Sequence, residues 1–346
     1  MADSAERVRV RAFREGDEAA WDAFVRAHPR ATFFHQTGWK RVLEATFGYR
    51  PHYLLAEREG RVRGVAPLFS CRDIRGRRSL YSLPHTVYGG IVGEERSDEE
   101  ALLAEARALA DREGAKSIEL RNRHRGLLDL PVQPGFVTFE RELPARAQDV
   151  RGLLPKKARE AVNQAVKRHN LEADFESDLD TFYDLLASSY LALGTPVFPR
   201  RFFAAMTEEF PEAASILVVR HEGTPVSAVL SMDWRDAILP LYSGEAPGVR
   251  NLKANNFKYY RLMQRAVERG VRRFDFGRSR LDNEGTVGFK VNQGFEPEEL
   301  PYQVAGEAAP PSSPNQGFFA RARRIWGRMP RAVADRVGPR IVKYFP

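Results

Sequence analysis

Apolar residues recur at two different spacings along the chain, and the switches between them predict its elements. Ala20, Trp21, Phe24 and Val25 share one side of a helix over 15–27. Trp39, Val42, Leu43 and Phe47 mark a second helical stretch. The spacing then shortens to two, and 52–58, 61–70 and 79–83 read as a three-strand meander turning first at Glu59-Gly60. After Gly89-Gly90, Ser97 or Asp98 caps a helix running to about residue 112, with Glu99 and Glu100 at its positive end. Gly114 stops that helix, and 117–120 is another strand.

The same order then returns. Helices over 178–193 and 198–210 precede a meander over 215–219, 226–232 and 237–242, with turns at Glu222-Gly223 and Arg235-Asp236. A helix from about 255 to 268 ends at Gly270, and a strand over 273–276 closes the unit. Glu113-Gly114 aligns with Arg269-Gly270, and Glu59-Gly60 with Glu222-Gly223. The pattern predicts an internal duplication, with a first domain over 1–145, a second over 146–305 and a tail over 306–346. Each copy is of the α/β class, a mixed sheet with helices on both faces. In each, the helix-to-strand step after the meander places a parallel pair that splays apart and opens a cleft.

The second copy ends in the chain's most distinctive stretch. Phe274 and Phe276 occupy one face of the strand and Asp275 the other, and Gly277 then opens a charged segment with Arg278, Arg280, Asp282 and Glu284. Gly285 and Gly288 suggest a tight backbone approach ahead of Phe289-Lys290. A strand that empties into such a segment commonly puts polar groups at a cleft mouth, although a solvated loop fits the residue types equally well.

Composition removes several classes. Apolar content of 43% and charged content of 29% over 346 residues describe a globular chain of two domains. The single cysteine, Cys71, excludes internal disulfides and cysteine zinc sites, and the seven histidines lack ligand spacing, so no metal is expected. The N-terminus has no apolar signal core and no stretch reaches membrane-span length, which points to the cytoplasm. Seven of the eight net positive charges fall in 318–346, so the basic balance belongs to the tail. There Phe318, Phe319, Ala322, Ile325, Trp326 and Met329 recur at helical spacing beside Arg321, Arg324 and Arg328. This basic helical tail suits a helix lying at the inner face of an anionic membrane, or one packed on the body through its apolar side.

The duplication together with Phe-Asp-Phe-Gly-Arg-Ser, Gly-Thr, Phe-Lys and Gly over 274–294 resembles the Fem family of peptidoglycan-bridge aminoacyl transferases. It resembles still more the FemAB-related proteins associated with exopolysaccharide and exosortase loci. The resemblance spans about residues 10–305 and is strongest in the second copy. It implies two tandem acetyltransferase-like (GNAT-like) domains and transfer of an acyl or aminoacyl group to an amine. It further implies that Lys290, beside Phe289, sits over the reacting carbonyl and steadies its oxyanion. The segment Gly194-Thr195-Pro196 resembles the family's helix connection, with Tyr190 and Phe198 as an apolar wall and Thr195 as a hydroxyl donor. An ordinary helix–helix connection reads the same way.

Other roles rest on residue type. Asp275, Asp282 or Glu284 can take the amine's proton, Asp275 and Glu284 standing with Lys290 as the catalytic set, and a shuttle through substrate or solvent is equally open. Arg278 and Arg280 suit a phosphate of the acceptor, or an ion-pair network with Asp282 and Glu284. Tyr242 joins the substrate-binding set. Lys156, Lys157 and Arg159 form a basic helix head that fits a tRNA or a lipid pyrophosphate, or simply a solvated face. Acetyl-CoA enzymes of this fold cradle pyrophosphate on a glycine turn opening a helix. The matching segment here, 250–255, lacks both glycines and leaves Lys253 and Asn255 to meet a phosphate. No bound cofactor is expected, and the acyl donor is either aminoacyl-tRNA or acyl-CoA as co-substrate. Three readings follow: a Fem-type transferase on a cell-envelope glycan or peptidoglycan precursor, an acetyl-CoA-dependent N-acyltransferase of an amino sugar, and a non-catalytic membrane-associated binding protein. Expected partners are an envelope precursor (lipid-linked or not), a tRNA, and an anionic membrane surface.

Overall fold

The computed structural model describes residues 8–176, 178–307 and 317–346, without the side chains of 317–319. The first part of the expected tail, 308–316, and the side chains of Phe318 and Phe319 on its apolar face therefore lie outside the described residues. The chain forms two units, one from 8–136, 300–307 and 343–346, the other from 137–299 and 317–342.

In the first unit, β1 (Arg9–Ala12) leads to α1 (Glu18–Ala27) and α2 (Gly38–Phe47). The meander follows as β2 (Arg50–Arg58), β3 (Arg61–Arg72) and β4 (Arg78–Ser82). A two-residue strand β5 (Val92–Gly93), α3 (Arg96–Glu113) and β6 (Ser117–Leu120) complete the expected order. Trp21, Phe24 and Val25 are buried on α1, and Trp39, Val42, Leu43 and Phe47 on α2, as their spacing requires.

The second unit begins with β7 (Phe136–Thr138) and β8 (Glu140–Glu142), then α4 (Val150–Leu153) and α5 (Lys156–Lys167). From β9 (Glu172–Asp174) it repeats the first unit through α6 (Leu179–Ala192), α7 (Arg200–Glu209), β10 (Ala214–His221), β11 (Thr224–Trp234) and β12 (Ala237–Glu245). The helix α8 (Ala254–Glu268) and β13 (Arg273–Asp275) stand where α3 and β6 stand in the first unit. Glu59-Gly60 and Glu222-Gly223 form matching turns, with φ of 52° and 73° in one and 50° and 76° in the other.

The two sheets have one topology. In the first, β1-β2-β3-β4-β6 run side by side and β4 pairs with β6 in parallel; in the second, β9-β10-β11-β12-β13 do the same. Each sheet then gains an antiparallel edge strand from the other copy's stretch of sequence. In the first it is β16 (Gln303–Gly306), with Val304 opposite Glu119; in the second it is β8, with Arg141 opposite Phe274. The chain therefore crosses to the second unit at Val137 and returns at Leu300, rather than at the boundaries of 145 and 305 that the repeat suggests.

The second unit continues through β14 (Ser279–Arg280), α9 (Glu284–Asn292) and β15 (Glu298–Glu299), which pairs with β7. Its tail is α10 (Gly317–Trp326) and α11 (Arg331–Ile341). Phe274, Phe276 and Phe295 pack edge against face beneath α8 and anchor the core under the charged segment.

Candidate active site

In the second sheet the parallel pair of β12 and β13 is short. β12 meets β13 only at Ala237–Arg273 and Ile238–Phe274 among the described pairs, yet β12 runs on to Glu245. The free stretch also bulges: Leu230 faces Tyr242 and Ser231 faces Pro240, so Leu241 is an extra residue. A bulge breaks the hydrogen-bond ladder locally and turns the strand, a common device beside active sites. The corresponding ladder in the first unit, from Leu68–Ser82 to Arg72–Arg78, keeps its register throughout. This difference singles out the second copy.

Lys290 lies on α9, with 6% of its surface exposed. Its amine donates to the carbonyl oxygens of Phe276 and Gly277, each at 2.8 Å, just past the end of β13. The rings of Phe139 and Phe276 stand 5.0 Å and 5.6 Å from it. Burial pulls its pKa from 10.5 down to about 7, against the raising charge of Asp275, and the charge of Arg278 adds to the fall. The glycines play another part than the one expected. Gly285 and Gly288 lie inside α9, where an added Cβ at Gly288 meets nothing within 4 Å. Helical periodicity, started by Asn283 accepting from the Thr286 amide at 3.3 Å, is what turns Lys290 inward.

Asp275 is buried and accepts from the Gly277 amide at 2.8 Å and the Thr138 hydroxyl at 3.4 Å. Lys290 and Asp275 thus belong to one neighbourhood at the strand end. Glu284 is exposed in the first turn of α9, while Arg280 pairs with Asp282 at 3.0 Å on the segment before it. Phe289 packs on Tyr259, centroids 5.6 Å apart.

Tyr190 and Phe198 touch within a larger aromatic cluster. Tyr242 on β12 touches Phe198, Phe202 and Phe203 at 5.6, 5.9 and 5.1 Å, and Phe198 touches Tyr190 at 6.3 Å. Burial raises the Tyr190 phenol to about 12, so it remains a neutral hydroxyl. Thr195 is exposed, and the loop that carries it serves as a seat for the tail. At Gly194, φ is +69° and an added Cβ would lie 2.3 Å from the Arg323 carbonyl oxygen. Arg323 donates to the Leu193 carbonyl at 3.0 Å, Arg331 pairs with Asp184, and Trp326 is 9% exposed. Of the two arrangements expected for the tail, it packs on the body.

At the start of α8, Lys253 has φ of +60°, the left-handed conformation that a glycine of the pyrophosphate turn would supply. The Asn255 side-chain oxygen is buried without a hydrogen-bond partner. Lys156, Lys157 and Arg159 are exposed on α5, which packs against α8 through Ala158, Val162 and Ala165. Sequence reading passed over Lys258. It is fully buried, donates to the Ser227 and Ser243 hydroxyls at 2.9 Å each, and is lowered by burial to about 8, against the raising charge of Glu245. Its signal is positional: Ala254, Lys258 and Leu262 share one helix face, which places a lysine in an apolar stripe.

Residues 150–290 match the family model of the acetyltransferase (GNAT) domain. No curated protein matches the chain. A solved structure of FemX aligns over 86% of this chain and 96% of its own, with a TM-score of 0.65 at 18% identity. A tandem GNAT protein from the clavulanic acid biosynthesis pathway aligns over 89% and 100%, at 0.57 and 13%. The C-terminal domain of a putative lysylphosphatidylglycerol synthetase from Agrobacterium fabrum aligns over 93% and 96%, at 0.52 and 14%. Residues 150–290 thus match an acetyltransferase (GNAT) domain, in a chain whose fold is similar to those of FemX and of that tandem GNAT protein.

Proposed function

We propose that the second unit forms an amide by transferring an acyl or aminoacyl group to an amine of a cell-envelope glycan or peptidoglycan precursor. The observation that carries this reading is the buried amine of Lys290, held by two carbonyls at the end of β13, whose parallel pairing with β12 is short. The acceptor nitrogen attacks the carbonyl carbon, and the electron pair moves onto oxygen. The oxyanion then collapses, the bond to the carrier breaks, and the amine's proton passes to the leaving group or to solvent. Two N–H bonds of the Lys290 ammonium are committed to the carbonyls of Phe276 and Gly277. The third is left to donate to the oxyanion, and fixing the other two holds it without reorganisation. Asp275 supports the ammonium through its charge. Its hydrogen bonds to Gly277 and Thr138 suit a structural carboxylate better than a mobile base.

The start of α8 supports a phosphate-bearing donor. Lys253, Asn255 and the helix N-terminus suit a phosphate-bearing carrier, which both aminoacyl-tRNA and acyl-CoA are. The Fem resemblance favours aminoacyl-tRNA. The left-handed backbone at Lys253 supports acyl-CoA as the second reading, since it keeps the turn's conformation without its glycine. The test is to present each donor with an amine-bearing envelope precursor and weigh the product. A mass gain equal to an aminoacyl residue supports the first reading and an acetyl increment the second. No amide with any donor would count against transfer altogether.

A further inference from the structure

The docked tail leaves an outer face that the transfer chemistry does not use. In α10, Arg321, Arg324 and Ile325, with Arg328 just beyond, recur at helical spacing, and all four are exposed. In α11, Val333, Arg336 and Arg340 do the same, while Ala334 and Gly338 are buried on the opposite side. Ile325 is 65% exposed and Val333 44%. Arg323 and Arg331 are occupied by Leu193 and Asp184, as described above. Arg321, Arg324, Arg328, Arg336 and Arg340 form no ion pair among the described residues. Residues 317–342 contain one acid, Asp335, and Arg331 already pairs with it at 3.2 Å.

We propose that this face of α10 and α11 is a docking surface for an anionic lipid bilayer, reached without unfolding the tail from the second unit. Five uncompensated arginines supply the attraction to acidic headgroups, and Ile325 and Val333 supply apolar tips to enter the interface. No described helix is long and apolar enough to cross a membrane, so the contact is with the surface. Charge alone would suit a nucleic acid equally well. Single-stranded RNA, however, is gripped by aromatic rings on which bases stack. Trp326, the aromatic residue of α10 whose side chain is described, is buried against Gly338. Ile325 and Val333, the described apolar side chains exposed on this face, are aliphatic, which favours lipid.

The proposal is independent of the acyl donor and the acceptor. Full-length protein would be sedimented with vesicles of phosphatidylglycerol and phosphatidylcholine, with vesicles of phosphatidylcholine alone, and with bulk tRNA as competitor. Binding is expected to the anionic vesicles at low salt, weakening as salt rises. Arg321→Ala or Arg336→Ala should each weaken it by about fivefold. Ile325→Asn should weaken vesicle binding and leave any tRNA binding unchanged. These side chains are exposed and unpaired, so an unaltered thermal unfolding curve would separate lost binding from lost folding. Absence of binding to anionic vesicles would overturn the proposal. So would full displacement by tRNA together with an Ile325→Asn variant that still binds.

Discussion

Lys290 Nζ lies 2.8 Å from the carbonyl oxygen of Gly277, the residue at which the strand carrying Phe274 and Asp275 turns away. A buried amine tied to backbone in this way has little freedom, and that rigidity is what an oxyanion donor requires. Lys290→Met should therefore lower kcat on the order of 100-fold and change KM little, because the lost bond strengthens only in the transition state. Steady-state kinetics would check this. A raised KM with kcat intact would mean that Lys290 binds substrate instead.

The two buried lysines also govern stability. Lys290 at about 7 and Lys258 at about 8 both lie below the ordinary 10.5. Between about pH 7 and 10 the unfolded chain therefore holds protons that the native state has released. Stability should rise with pH across that window, since it rises wherever the unfolded state binds more protons. Urea midpoints at both ends would show the slope. The slope should shrink in Lys290→Met and in Lys258→Met.

The tail should behave as a docked element of the second unit. Trp326→Ala should destabilise that unit by about 3 kcal/mol, in the range typical of a buried large aromatic. Gly194→Ala should also destabilise it, through both the positive φ and the close Arg323 carbonyl. Chemical denaturation of the full chain would read both effects. Wild-type midpoints for both variants would mean that the tail is loosely held.

What was legible in the sequence was mostly local. The paired Glu-Gly turns reveal the duplication because turn geometry is fixed by the residues that make it. Phe274 and Phe276 read correctly as core, their alternation fitting one face of a strand. The exchanged edge strands were not legible. Glu140–Glu142 reads Glu-Arg-Glu, with no apolar pattern, and its pairing with Arg273–Asp275 is long-range. Asp275 alternates onto the polar side of its strand yet is buried, because Thr138 and the Gly277 amide satisfy it. Gly285 and Gly288 suggest a turn, but Asn283 caps a helix through them. Leu241 gives no local sign of its bulge, which exists only in register with β11.

The central claim is that the second unit forms amides through Lys290. The most direct measurement incubates wild type and Lys290→Met with isotopically labelled aminoacyl-tRNA or acyl-CoA and an amine-bearing envelope precursor, and counts label in the amide product. The account predicts a labelled amide from wild type, and a rate on the order of 100-fold lower from the folded variant. Equal rates from both proteins, or no label in amide from any donor, would contradict it.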